Sequence, residues 1–486
     1  MENPENHSFE VTMEYRGISS DTIDLSMPRW MPGYYQIMDY WKGVSEFSAT
    51  GKNRSDVTII RPDSSTWRIA TNKNNTLTIK YKVFSNRRFV ANNYLDTTRA
   101  YIVPAATFMY PEGRTDIPVT LNVMPYHLWK DIATGLEKAE GSVNRFLAPD
   151  FDILYDCPIL IGNLEELPSF EIGGIKHRFI ACQPGEFDHD TFIAKLEKTI
   201  KAGTEIIGDI PYSEYTFIGI GPGAGGIEHL NNTTVSLSGS RLDNPESAKG
   251  TLKFLAHEYF HNYNVKRIRP YELGPFDYSK EARTNLLWVS EGFTVYYEYL
   301  MVRRAGVIDS MELIESLEGN ISAYENDPGK DYQSLVQASF DTWRDGPFGS
   351  SVPGQDRSIS VYDKGAVIAF IFDLTIRNAT GNERSLDDVM RYLYDTYYKH
   401  YGRGFTDAEF REACEMTAGT SMSDEFEYVY STTYIDYSRY LSYAGLTISV
   451  EKDSQRDRDR YTISRVAEPS ELQSLIYDSW ARQSDY

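Results

Sequence analysis

Short runs in which polar and apolar side chains alternate fill roughly the first 150 residues, most clearly in "DTIDLSMP" (21–28) and "NTLTIKYKVF" (75–84). A period of two puts every second side chain on one face of a pleated strand, and Asn, Gly, Asp and Pro clusters separate the runs, so this part reads as a mostly antiparallel β domain. From about residue 175 the pattern mixes strand-like runs, "HRFIACQ" and "YTFIGIG", with the longer "TFIAKLEKTIKAGTEII" and "AKGTLKFLAHEYFHNYNV", whose periodicity is helical. After Gly306 helices dominate, and capping boxes from Ser385 to Asp388 and from Thr406 to Glu409 open two of them. The expected fold class is multidomain α+β. An N-terminal antiparallel β domain occupies 1–165, an α+β domain 166–306, a helical domain 307–445 and a short C-terminal tail 446–486. The charges of "VEKDSQRDRDRYT" (450–462) read as a solvated turn.

Composition narrows the partners. A formal charge of -21 repels phosphate backbones and anionic headgroups, which argues against nucleic acid and membrane surfaces and for a neutral or cationic ligand. The apolar run "GAVIAFIFDLTI" is interrupted by Asp373 and too short to cross a bilayer, so no membrane insertion is expected. Three widely spaced cysteines, Cys157, Cys182 and Cys414, form neither a disulfide framework nor a CxxC metal motif and are expected to be inert core thiols.

The candidate chemistry lies in "FLAHEYFHNYNVKRIRP" (254–270), an HExxH arrangement of His257, Glu258 and His261. On an α-helix a step of four residues advances a side chain by about 40° beyond a full turn, so both imidazoles can reach one metal ion with Glu258 alongside. Leu252, Leu255, Tyr259 and Tyr263 form a packing stripe on the opposite side. Catalytic zinc ordinarily takes three protein ligands and keeps a position for water, and the best third ligand is Glu291 in "LWVSEGFTVYYEYL" (287–300). Ser290 is placed to cap a new helix there. Glu298, seven residues beyond Glu291, falls on the same face and is placed to orient a ligand histidine through its second nitrogen.

HExxH followed at a distance by "WVSEGFTVYYEYL" resembles the thermolysin-like zinc peptidases. The connection "NVKRIRPYELGPFDYSKEARTNLLW" and the N-terminal "SMPRWMPGYYQIMDY" resemble, more narrowly, the glycyl aminopeptidase family. That resemblance covers the chain to about residue 445. It implies a β domain, a thermolysin-like catalytic domain holding one zinc ion, a helical domain and usually a PDZ domain, for which the residues after "YAGLTISV" are too few. It also implies hydrolysis of the first peptide bond of peptides with a free N-terminus, with small first residues such as Gly or Ala preferred. Glu228 in "IGIGPGAGGIEHLNN" (218–232) resembles the glutamate with which related aminopeptidases hold the substrate's amine, and the backbone of Gly225 and Gly226 is placed to pair with an extended peptide. His229 stands where the wider pattern has asparagine and reads as a hydrogen-bonded structural histidine. Tyr362 in "SVYDKGAVIAF" (360–370) resembles the Tyr-x-Lys-Gly tyrosine that stabilises the oxyanion. Lys266, Arg267 and Arg269 are read as offsetting a helix C-terminus rather than as catalytic.

Two rival readings are a zinc endopeptidase with a cleft open beyond the metal and a non-catalytic peptide-binding protein. The latter usually lacks a ligand or the base, whereas this chain carries all of them. The N-terminus "MENPENHSFEV" has no secretory signature, but an exported or periplasmic protein stripped of its leader would begin in the same way, and the Tyr- and Asn-rich composition leans that way. Oligomeric state leaves no mark on the sequence.

Overall fold

The alternation in 75–84 becomes the strand Thr76–Phe84, and its inward residues Leu77, Ile79, Tyr81 and Val83 are all buried. A computed structural model of the chain describes residues 1–52, 55–349, 357–453 and 458–485. Two compact units emerge. One comprises Met1–His189, Tyr212–Arg241 and Phe276–Glu281; the other comprises Asp190–Pro211, Leu242–Pro275 and Ala282–Tyr486.

In the first unit Thr76–Phe84 is the central strand of an antiparallel sheet, flanked by Ser8–Arg16 and Val44–Thr50. Two four-stranded antiparallel sheets accompany it, one around Thr22–Ser26 and Thr66–Ala70, the other around Arg99–Ile102 and Ile159–Gly162. Their inner faces share one core that includes Leu25, Trp67, Ile79, Tyr101 and Ile161. The same unit holds a mixed sheet in which Ile175–Ala181, Glu214–Gly219 and Asn232–Val235 run parallel. Gly226–Glu228 pairs antiparallel with Asn232–Val235 and is the edge strand.

The second unit is mainly helical. Leu252, Leu255 and Tyr259 are buried, as their spacing on the helix Pro245–Phe260 requires, and Tyr263, beyond the end of that helix, is buried as well. Both expected capping boxes form, at Ser385 ahead of Leu386–Leu393 and at Thr406 ahead of Asp407–Ala418. Beyond residue 445 the chain makes a hairpin of Leu446–Asp453 and Arg458–Arg465 and then the helix Glu471–Trp480. Residues 454–457 of the charged stretch lie outside the described residues. Trp480 donates its indole N–H to the Tyr296 hydroxyl at 3.0 Å, and Tyr296 donates to Asp373 at 2.6 Å, which wires this last helix into the core. All three cysteines are free and buried. Among the described residues no helix is long and apolar enough to cross a membrane.

Candidate active site

Asn244 caps the helix Pro245–Phe260, accepting from the backbone N–H groups of Glu246 and Ser247, and the helix delivers His257 and Glu258 in its last turn with His261 just beyond. The second element departs from expectation. Ser290 does not cap a helix; it lies inside a π-helical turn, Trp288–Gly292, that runs directly into the helix Phe293–Arg304. The chain is already helical at Leu287, so no extended cap residue precedes it. Glu291 projects from this turn, and such one-turn widenings of a helix recur at functional sites.

His257 Nδ1 lies 2.9 Å from the Glu298 carboxylate and His261 Nδ1 lies 2.8 Å from the Asn264 carbonyl oxygen. Both partners are acceptors, so each Nδ1 carries the proton and each Nε2 is left with its lone pair. Those two Nε2 atoms face one another at 3.0 Å, and Glu291 Oε2 closes the group at 3.7 Å from His257 and 3.3 Å from His261. Three acceptors converging in a buried place require positive charge. Burial opposes protonation of His257, yet the Glu291 and Glu298 carboxylates overcome it and hold the imidazole well above its usual range. Burial likewise opposes ionisation of Glu291, and His261 and His257 overcome it, holding the carboxyl well below the usual carboxylate range. A divalent cation answers the same demand better than one shared proton, and two imidazoles with one carboxylate form a zinc-type donor set. His257, His261 and Glu291 are also the one cluster of His, Cys, Asp and Glu among the described residues whose ligand atoms all lie within 4.8 Å of one another.

Sequence reasoning passed over Asn264, whose backbone and side chain join the two halves of this cluster. Its carbonyl accepts from His261, while its Nδ2 donates to the carbonyl oxygens of Val289 at 2.8 Å and Ser290 at 3.2 Å, on the turn that carries Glu291. Thr294 closes the clamp: its hydroxyl accepts from Asn264 Nδ2 at 3.1 Å and shares its one hydrogen between the Ser290 carbonyl at 2.8 Å and the Asn264 carbonyl at 3.0 Å. An asparagine three residues after HExxH is the signal that was available.

Tyr362 stands in the first turn of the helix Val361–Ala379, capped by Ser360. Its ring stacks at 5.9 Å from that of His257 and at 4.8 Å from that of Phe348. Two glycines let this helix and the Glu291 turn meet backbone to backbone: a Cβ built on Gly292 would lie 2.3 Å from Gly365 Cα. Lys364, next to Gly365, is wholly buried with its ammonium 4.9 Å from the Tyr324 ring centre, and burial, against the pull of Glu325, draws it down to about 8.

The remaining candidates belong to the first unit. Glu228 ends the edge strand and is 5% exposed, and its Oε1 has no hydrogen-bond partner among the described residues. Gly225 precedes the strand at φ +85°, and Gly226 begins it. His229 is held by Asp156, with Nδ1 at 3.2 Å from Oδ1, as expected of a structural histidine.

A model described as the Peptidase M61 N-terminal domain matches residues 1–163, and one described as M61 glycyl aminopeptidase matches 250–368. Together these segments span more than half of the 486 residues. The chain belongs to the M61 peptidase family. It is a metallo-aminopeptidase of multidomain α+β fold. No curated protein matches it significantly. Among solved structures, an aminopeptidase N family protein from Idiomarina loihiensis is 27% identical with a TM-score of 0.87, the match covering 93% of this chain and 79% of that one. An M1 zinc metallopeptidase from Deinococcus radiodurans shares the fold at 13% identity and a TM-score of 0.51, over 89% of this chain and 92% of that one. A variant of the latter, bound to a Tyr-Ser-Ala substrate, is 14% identical with a TM-score of 0.53, over 89% and 92%.

The Asn264 clamp has a measurable consequence for this M61 peptidase. Asn264→Ala keeps His257, His261 and Glu291, the residues that could hold a metal, but frees the Glu291 turn, and is expected to weaken metal affinity about 10- to 100-fold. Titration of the metal-free protein against a competing chelator reads this directly, and an affinity equal to that of the parent would show that the clamp does not position the ligands.

Proposed function

We propose that the protein is a zinc aminopeptidase that removes small first residues, Gly or Ala, from peptides with a free N-terminus. The observation that carries the metal half is the meeting of two imidazole lone pairs and the Glu291 carboxylate at one buried point. His257, His261 and Glu291 would hold the ion, and zinc is the metal named for the M1 structures that share the fold. When bound, it supplies Lewis-acid polarisation of the scissile carbonyl and a lowered pKa for water.

The protein's own groups do the rest. Glu258, adjacent to His257 and buried, accepts the proton of the attacking water and delivers it to the departing amine nitrogen. Tyr362 donates its phenolic O–H to the carbonyl oxygen as that oxygen gains charge. Glu298 and the Asn264 carbonyl keep both imidazoles in the Nδ1–H tautomer. Glu228, buried and with an oxygen lacking a donor, takes the substrate's α-ammonium group, and the edge strand through Gly225 and Gly226 pairs with the extended peptide. The preference for Gly rests on the family's description as glycyl aminopeptidases, and Ala is added as the next smallest side chain.

The test compares Gly- and Ala-aryl amides and short peptides with their N-acetylated forms. Acetylation removes the charge Glu228 would bind and is expected to reduce kcat/KM by at least about 100-fold, the scale on which a buried ionic partner is lost. Equal cleavage of blocked and free peptides would mark an endopeptidase instead.

A further inference from the structure

The N-terminal stretch "SMPRWMPGYYQIMDY" has no part in the chemistry assigned so far, yet it reaches the proposed ammonium site. Met31 to Tyr34 forms a β-turn, with the Tyr34 N–H donating to the Met31 carbonyl at 3.2 Å. Pro32 sits at the second position and Gly33, at φ +86°, occupies the third, the arrangement of a type II turn. Both flanks are fastened. Trp30 donates its indole N–H to the Asp277 carbonyl at 3.1 Å and packs edge-on against Phe276 at 5.3 Å, while Tyr34 packs edge-on against Phe89 at 5.2 Å. The bare Cα of Gly33 therefore lies against Glu228. A Cβ built there would fall 2.8 Å and 2.9 Å from the two carboxylate oxygens and 2.9 Å from Ile227 Cγ2.

We propose that Gly33 is a positioning residue for amine recognition: the turn is a wall of backbone that holds the Glu228 carboxylate in its aimed conformation. The inference rests on the reading that Glu228 binds the substrate's α-ammonium. Left to itself, a glutamate with a buried oxygen lacking a donor turns towards water, because an unmet hydrogen bond costs more than a rotamer change. A fixed turn removes that route and leaves the carboxylate waiting for a cationic donor. Gly33 is required twice over, by its left-handed φ and by the lack of room for any side chain. A methyl group meets the far end of a flexible side chain, so the part that gives way is the carboxylate itself.

The experiment measures KM and kcat for Gly-p-nitroanilide, with metal content and Tm recorded for every variant. Gly33→Ala is expected to raise KM at least tenfold and change kcat less than threefold. Gly33→Asn, with a side chain that tolerates left-handed φ, should do the same in a well-folded protein. Adding Glu228→Asp to Gly33→Ala shortens the acid by one methylene and should recover part of the lost KM, whereas adding Gly33→Ala to Glu228→Gln should cost nothing more. An unchanged KM in folded Gly33→Ala and Gly33→Asn, alongside a raised KM in Glu228→Gln, overturns this inference alone. Additive losses in the double variant overturn it as well. An unchanged KM in Glu228→Gln overturns the ammonium assignment and the inference together.

Discussion

Glu258→Gln is expected to lower kcat by about 10²- to 10⁴-fold while the protein keeps its metal and its Tm. Glutamine preserves the shape of the side chain but can neither take a proton from water nor pass one to the leaving amine, so both proton transfers lose their carrier. None of the converging atoms of the His257, His261 and Glu291 cluster belongs to Glu258, which sets the proposed base apart from the proposed ligands. KM for Gly-p-nitroanilide should move little, because the substitution removes an interaction made in the transition state. Metal analysis beside steady-state kinetics decides the matter: full turnover in a metal-replete Glu258→Gln protein would remove Glu258 from the mechanism, and loss of the metal would place it among the ligands.

Gly365→Ala carries the second large effect, and its sign is informative. In an ordinary helix interior alanine is favoured over glycine by about 1 kcal/mol, so a glycine without a packing role would be improved by the change. Here a Cβ on Gly365 would lie 2.8 Å from Gly292 Cα and 2.9 Å from the Trp288 carbonyl oxygen. Both are backbone atoms of the turn that carries Glu291, and neither can swing aside. The helix with Tyr362 must move off that turn, at an overpacking cost of about 1–3 kcal/mol. A shift of this kind between the phenol and the ligand cluster is expected to lower kcat by about 100-fold. Thermal denaturation and turnover are the two readings, and a variant with raised Tm and parental kcat would dismiss the close approach.

The helix with HExxH and the strand Thr76–Phe84 were legible because each obeys a local period: two histidines one turn apart in the first, burial at every second position in the second. The place of Glu291 beside the two histidines was legible from the number of donors a metal site needs, and the capping boxes at Ser385 and Thr406 by their short-range hydrogen bonds. Ser290 misled for a physical reason. A serine before an apolar run ordinarily begins a helix, but here the helical path is already set and the turn is held from outside by Asn264, a contact distant in sequence that no local pattern encodes, with Thr294 of the following helix closing on the Ser290 carbonyl. Gly33, Gly292 and Gly365 were visible only as glycines. What each excludes is a contact with residues distant in sequence, and their partners become known only once the chain is folded.

The widened turn at Trp288–Gly292 also limits how this protein can vary. Glu291 addresses one side of the His257 ring and Glu298 the other, from either side of the junction between π-helical and α-helical backbone. Loss of a single residue between Glu291 and Glu298 would turn one acid by about 100° about the axis relative to the other. The two acids would then no longer share one histidine. Substitutions within the segment are a matter of degree, but its length is fixed, and a relative with one residue more or fewer between the counterparts of Glu291 and Glu298 would have to find its tautomer-setting carboxylate elsewhere.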